Sequence, residues 1–254
     1  MRILAIETTE RIGSVAAFQD TKLVAETRLT SDQRSAQSLA PALAELLKQL
    51  QWRAADLDLI AVTSGPGSFT GLRIGVTTAK TLAYAAGAEV LGVNTLEVIA
   101  AQVPNVGPNE KITAVIDAQR EQVYSASFVR EASAAIRCVE QTRIVDCAEW
   151  LAKRQAGEVL TGPGLSRLAD ELPSDVTIVD PRDWAPRAAT VGKLAVEHYQ
   201  NGRRDNLFQL VPQYYRPSAA EEKWNDRQGR GAATAHHGVT HHGVRSPTMG
   251  SGRD

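Results

Sequence analysis

A chain of 254 residues with 28 Lys+Arg against 29 Asp+Glu has a formal net charge of -1, so no global basic field steers nucleic acid towards it. Aromatic residues make up 5%, too few for a base-stacking platform, whereas 43% hydrophobic residues suffice for a core of Ala, Val, Leu and Ile. Cys138 and Cys147 have no zinc or CxxC spacing, Glu7 comes too early for a signal peptide, and no apolar run approaches roughly 18 residues, so a cytoplasmic α/β protein that spans no membrane is expected.

Arg2 to Thr8 reads as a strand, and Ser14 to Gln19 and Leu23 to Leu29 follow at hairpin distances. The period then becomes helical: Leu39, Leu43, Leu46, Leu47 and Leu50 share a face, with Ser35 or Ser38 as N-cap and Pro41 tolerable only near the first turn. Leu59 to Thr63 predicts a short buried strand that runs into Ser64-Gly65-Pro66-Gly67-Ser68. A second helix is predicted from about Thr70 to Ala86 and stops at Gly87. Val90 to Val93 gives another strand, and Thr95 opens a third helix.

The turn-rich seam from Pro104 to Pro108 divides a first lobe, 1–104, from a second and smaller one, 109–224, whose last helix is expected to reach back to the first. There the pattern restarts: Lys111 to Asp117 is a strand ending in an acid, as the first strand does. At a shift of 110 residues Ile6 falls on Ile116, Ala16 on Ala126 and Phe18 on Phe128. A helix (Cys147 to Gln155) and a strand (Glu158 to Thr161) lead into Gly162-Pro163-Gly164, the counterpart of Gly65-Pro66-Gly67, and a last helix spans about Ala188 to Gln200. The repeated order argues for duplicated βββαβα halves. From Asn225 onward there is no Leu, Ile, Phe, Tyr or Trp, so 225–254 is expected to be a disordered tail, and its His236-His237 and His241-His242 pairs lack the fixed geometry of a metal site.

Two patterns invite a chemical reading. Ser68, after Gly-Pro-Gly and before a helix, is placed like an exposed nucleophile, yet the one histidine before the tail is His198, and an N-cap role suits Ser68 better. Gly71, Gly75, Ala79 and Ala83 form a small-residue row on the second helix, and Ala36, Ala40 and Ala44 do so on the first. Such rows either pack on the protein's own sheet or admit another subunit's backbone.

Two βββαβα halves, each opening on a strand that ends in a carboxylate, resemble the actin and sugar-kinase (ASKHA, ribonuclease H-like) superfamily. ILAIETT, SGPGSFTGLRIG, GVNTLE and PQYYRPSAAEEKW resemble the bacterial TsaB family more closely, in order over Met1 to Trp224. The resemblance implies an accessory, non-catalytic subunit of tRNA threonylcarbamoyladenosine (t6A) biosynthesis. Its implied partners are the transferase TsaD, the ATPase TsaE, a second copy of itself, and tRNA only through the complex. It also turns the two small-residue rows into the expected partner interface. The family's usual Asp is Glu7 here, and the His that commonly opens the first helix is Ser35.

In that superfamily, hairpins rich in backbone N–H hold nucleotide phosphates. Here Glu7, Thr8, Thr9 and Asp117 occupy the matching positions, Glu10 would repel phosphate, and the second hairpin has no glycine. Pro163 removes a donor from the motif that elsewhere seats adenosine. A degraded site is expected, with no cofactor and room for weak ATP or ADP binding. TsaD carries a His-x-x-x-His pair after a GVN segment, but Thr95 and Ile99 stand there in this chain, so no metal is expected. Two rival readings, a small-molecule phosphotransferase of the same fold and a glycoprotease-like peptidase, need a working nucleotide site or a base beside Ser68.

Overall fold

Arg2–Glu7 (β1) is aliphatic on both faces and buried along almost its whole length, as a strand with helices on either side must be. The computed structural model describes residues 1–29, 35–104, 106–133 and 135–216, apart from the side chains of Ser35 and Ala36. The expected 225–254 tail and the end of the PQYYRPSAAEEKW segment lie outside the described residues.

β2 (Ser14–Gln19) pairs antiparallel with β1, and β3 (Lys22–Arg28) with β2. On the other side β4 (Leu59–Gly65) and β5 (Glu89–Asn94) run parallel, giving the order β3-β2-β1-β4-β5. The second sheet repeats this plan around β6 (Lys111–Gln119), with β7 (Gln122–Arg130), β8 (Ile136–Asp146), β9 (Val159–Thr161) and β10 (Thr177–Ile178) in the order β8-β7-β6-β9-β10. This is the duplicated actin/sugar-kinase-like α/β fold. Short 3-10 turns at Pro163–Arg167 and Ala169–Glu171 follow β9, where a long helix follows β4, so the second half has the lighter helical layer at that point.

Pairing corrects one part of the repeat. Ala5 faces Ala16 and Ala114 faces Ala126, so the second strands are 110 residues apart while the first strands are 109 apart. The second hairpin is one residue longer, and a one-residue slip exchanges sheet faces. Ile6 therefore lies in the cluster beneath the first two helices, whereas Ile116 faces the opposite layer with Leu96 and Ile99.

The helices α1 (Ser35–Gln49) and α2 (Phe69–Ala86) cover the outer face of the first sheet through Leu39, Leu43, Leu46 and Val76. Pro41 is the seventh residue of α1, not in its first turn as expected. On the inner face, α5 (Ala188–Gln200) lays Val191, Leu194 and Ala195 against Ile3, Ala5 and Phe18. Its Gly192 rests on the Phe18 ring, where a Cβ would collide. The short helix α3 (Thr95–Ala101) gives Val98 to that cluster and Leu96, Ile99 and Ala100 to the core of the second sheet, so it belongs to both layers. The outer face of the second sheet is closed by α4 (Cys147–Ala152) through the buried Trp150. The predicted helix over 147–155 ends early, at Ala152. Met1–Tyr215 is one compact unit.

Candidate functional site

The hairpin that would hold phosphates begins where β1 ends. Glu7 has no solvent exposure. Its Oε1 accepts hydrogen bonds from Thr9 N and Thr9 Oγ1, both at 2.5 Å, while Oε2 is buried with no hydrogen-bond partner among the described residues. Desolvation dominates, pushing the carboxyl up to about 8 against the pull of the Thr9 bonds, and the neighbouring Glu10 adds to the rise. Glu7 is thus a neutral acid at pH 7.

The GPGSFTG turn seats itself in the same hairpin. Thr8 Oγ1 donates to Gly71 O at 2.8 Å, and Ser68 N donates to Thr9 O at 2.9 Å. Gly67 lies against Thr9, Gly71 against the Thr8 carbonyl and Gly75 against Thr8 Oγ1, so closely that a Cβ would overlap each. The Thr8 and Thr9 hydroxyls and the Thr9 N–H, the donors expected to reach a phosphate, are all engaged within the protein.

The second hairpin is built differently. Asp117 has a side chain 39% exposed; its Oδ1 accepts from Gln119 N at 2.8 Å and pairs with Arg167 at 3.0 Å, and Arg167 also reaches Glu121 at 2.6 Å. Gln119, Arg120 and Glu121 all take left-handed φ (61°, 54° and 56°) without a glycine among them. The partners of Asp117 all lie in the second half and those of Glu7, Thr8 and Thr9 in the first. Gly162 presses on Val115 O, and a Cβ on Gly164 would stand 2.9–3.0 Å from the backbone of Ile116 and Asp117, so the turn matching the adenosine motif is packed onto β6.

The small-residue row on α2 faces inward, which corrects the expected interface. Gly71, Gly75, Ala79 and Ala83 are buried in the chain itself, because α2 must approach Thr8 and Val62 closely. Its outward residues are Arg73, Thr77, Thr81 and Tyr84, the last 73% exposed. On α1 Ala40 and Ala44 are exposed, and the side chain of Ala36 is outside the described residues. Ser68 is the N-cap of α2, accepting from Gly71 N at 3.2 Å. His198 Nε2 lies 2.9 Å from Glu97 Oε1, so its near neighbour is an acid on α3. Thr95 and Ile99 are fully buried, and the described residues contain no cluster of three potential metal ligands. Cys138 is exposed and Cys147 buried, both as free thiols.

Sequence reasoning missed the segment after α5. Gln213 N donates to Ser64 O at 2.7 Å, Lys80 Nζ donates to Leu210 O at 2.9 Å, and Arg73 Nε donates to the Tyr214 hydroxyl at 3.0 Å. Tyr214 stacks on Phe69 with ring centroids 4.5 Å apart. Asn94 caps α3 and also donates to Thr142 Oγ1 at 3.0 Å and the Tyr215 hydroxyl at 3.3 Å, joining the first sheet to β8. The paired tyrosines of PQYYRPS were the available signal.

Comparison with known proteins agrees with this architecture. The model of a family described as TsaD, tRNA N6-adenosine threonylcarbamoyltransferase, matches residues 24–179. The tRNA threonylcarbamoyladenosine biosynthesis protein TsaB of Escherichia coli is 30% identical over 228 residues, 88% of this chain and 98% of that protein. Its Bacillus subtilis counterpart is 29% identical over 90% of this chain and 100% of its own length. The solved structure of YeaZ from Pseudomonas aeruginosa superposes with a TM-score of 0.73 at 23% identity, covering 84% of this chain and 99% of that one, which supports the fold. No helix among the described residues is long and apolar enough to cross a membrane. The chain belongs to the family that the TsaD model describes and, within it, to the TsaB proteins of tRNA threonylcarbamoyladenosine biosynthesis.

Proposed function

We propose that this chain is a non-catalytic subunit that binds a TsaD transferase in the cytoplasm and supports it in threonylcarbamoylating tRNA. The observation that carries the reading is the hairpin after β1, whose phosphate donors are already consumed by the Glu7 carboxyl and the Gly71 carbonyl. A fold that elsewhere handles nucleotides here spends that machinery on its own packing, so the chain uses no cofactor of its own and retains at most weak ATP or ADP binding. The docking surface is the outward side of α1 and α2, with Ala40 and Ala44 on one helix and Thr77, Thr81 and Tyr84 on the other. A second copy of the chain would compete for this same surface. TsaE joins the pair, and tRNA is reached through the complex.

The test is co-purification with the TsaD of the same organism, followed by a threonylcarbamoylation assay with and without this chain. The reading expects a complex and a loss of modification when the chain is omitted. ATP hydrolysis or phosphoryl transfer by the chain alone, abolished by Glu7→Ala or Asp117→Ala, would instead establish the phosphotransferase.

A further inference from the structure

The second sheet carries a cavity of about 310 Å³ that none of the above uses. Its walls come from the start of β6, the exposed side of β8 and the end of α4, and they bring together Lys111, Arg143, Lys153 and Arg154 with Glu140. In a chain of net charge -1, four basic side chains around one small cavity are a local concentration.

A buried acid organises them. The Glu158 side chain is only 2% exposed, and it is held by Arg154 Nη1 at 2.8 Å, Thr113 Oγ1 at 2.6 Å and Lys111 Nζ at 3.3 Å. Arg154 is also fixed on its other edges: Nε donates to Trp150 O at 3.0 Å, and the guanidinium stacks over the Trp150 ring at 4.1 Å. Lys111 bridges Glu158 and Glu140, the latter at 2.9 Å. Two of the four cations are thereby immobilised before any ligand arrives, which gives the site a fixed base and removes part of the ordering cost of recognition. Arg143 makes no hydrogen bond or ion pair among the described residues, and Lys153 pairs only with the exposed Glu149. Burial lowers the Arg154 guanidinium, Glu158 and Glu140 pull it back up, and the like charge of Arg143 adds a smaller repulsion across the cavity. An anion between them would relieve that repulsion.

We infer that this cavity is a binding site for a phosphoryl group, with Arg143 and Lys153 as the ligand-facing cations on a base of Lys111 and Arg154. The volume suits a single phosphate or pyrophosphate and lies at the small end of ligand sites. The phosphate has two possible sources, a free small anion or the backbone of RNA. The RNA source rests on the reading of the chain as a tRNA-modification subunit and adds a direct backbone contact to the route through the complex; the small-anion source does not depend on it.

The experiment titrates the full chain at low salt with sodium pyrophosphate and, separately, with a short anticodon stem-loop RNA. Wild type is compared with Arg143→Ala and Lys153→Ala, both surface changes, and with Lys48→Ala on α1 as a control, all checked for native circular dichroism. Pyrophosphate binding weakened about fivefold or more by each cavity variant, and unchanged by the control, identifies a small-anion site. RNA binding weakened to the same degree, with a salt slope shallower by about one and no binding of pyrophosphate, identifies a backbone contact. Cavity variants that bind both ligands as the wild type does, or a wild type that binds neither, overturn the proposal. TsaD capture by Arg143→Ala is expected to persist, because α1 and α2 lie on the first sheet. Loss of capture by Arg143→Ala, alongside the expected fall in anion binding, would overturn the docking surface and leave this site standing.

Discussion

Glu7→Gln tests the closed hairpin directly. Folding moves this carboxyl from 4.5 to about 8, so between those values the folded chain keeps a proton that the unfolded chain has released. The contribution is fully favourable below about pH 4.5 and fades as pH rises, by about 1.4 kcal/mol per pH unit. It levels off above pH 8, after a total on the order of 5 kcal/mol, because from there both states are ionised. The amide of the variant cannot titrate, so this slope disappears while the other groups stay common to both proteins. Urea unfolding followed by fluorescence of the buried Trp150 at pH 5, 7 and 9 gives the comparison. At pH 5 the two proteins should differ by only about 1–2 kcal/mol, the cost of placing an amide where Oε2 has no partner. At pH 9 the variant should be the more stable by several kcal/mol. Parallel stability curves from pH 5 to 9 would refute the reasoning, because they would mean that Glu7 is solvated or paired in the folded protein.

Three further outcomes are expected. Gly75→Leu should lower the stability of the isolated chain by about 1–3 kcal/mol or more, since its side chain must displace Thr8, and thermal melting of the monomer reads this out. Pro41→Ala should stabilise the chain by up to about 3 kcal/mol, because the proline lies in the interior of α1 and is exposed, and its effect appears in the urea midpoint. Tyr84→Arg should leave the melting temperature within a few degrees of wild type while abolishing TsaD capture in a pull-down, and a variant that still captures TsaD would show that the docking surface lies elsewhere.

Most of the architecture was legible because local and global signals agree. The period change at Leu39, the stop at Gly87 and the echo of Gly65-Pro66-Gly67 in Gly162-Pro163-Gly164 each reappear in the strands and helices that form. The direction of the small-residue row was not legible. A spacing of four says that Gly71, Gly75, Ala79 and Ala83 share a face, but not which backbone that face meets; the answer, Thr8, is 63 residues away from Gly71 in the chain. The state of Glu7 was hidden for the same reason, since its burial depends on a turn brought in from β4. The cavity between Lys111, Arg143 and Arg154 combines residues from β6, β8 and the end of α4 with no common motif, so no window of sequence contains it.

The position of α5 governs how the chain can be made. Four strands of the first sheet, β1, β2, β4 and β5, rely on a helix that begins at Ala188 to cover their inner side. During synthesis these strands emerge early, and even after β5 is made they wait for roughly 100 more residues, on the order of 5–20 s at ordinary elongation rates, before Val191 and Leu194 can reach Ile3 and Phe18. Until then that face exposes its aliphatic residues to the crowded surroundings of the ribosome. The duplicated halves are therefore no longer separable products: a message truncated at the 104–108 seam would release a sheet with one side bare, a substrate for chaperones and proteases and not a working half-protein.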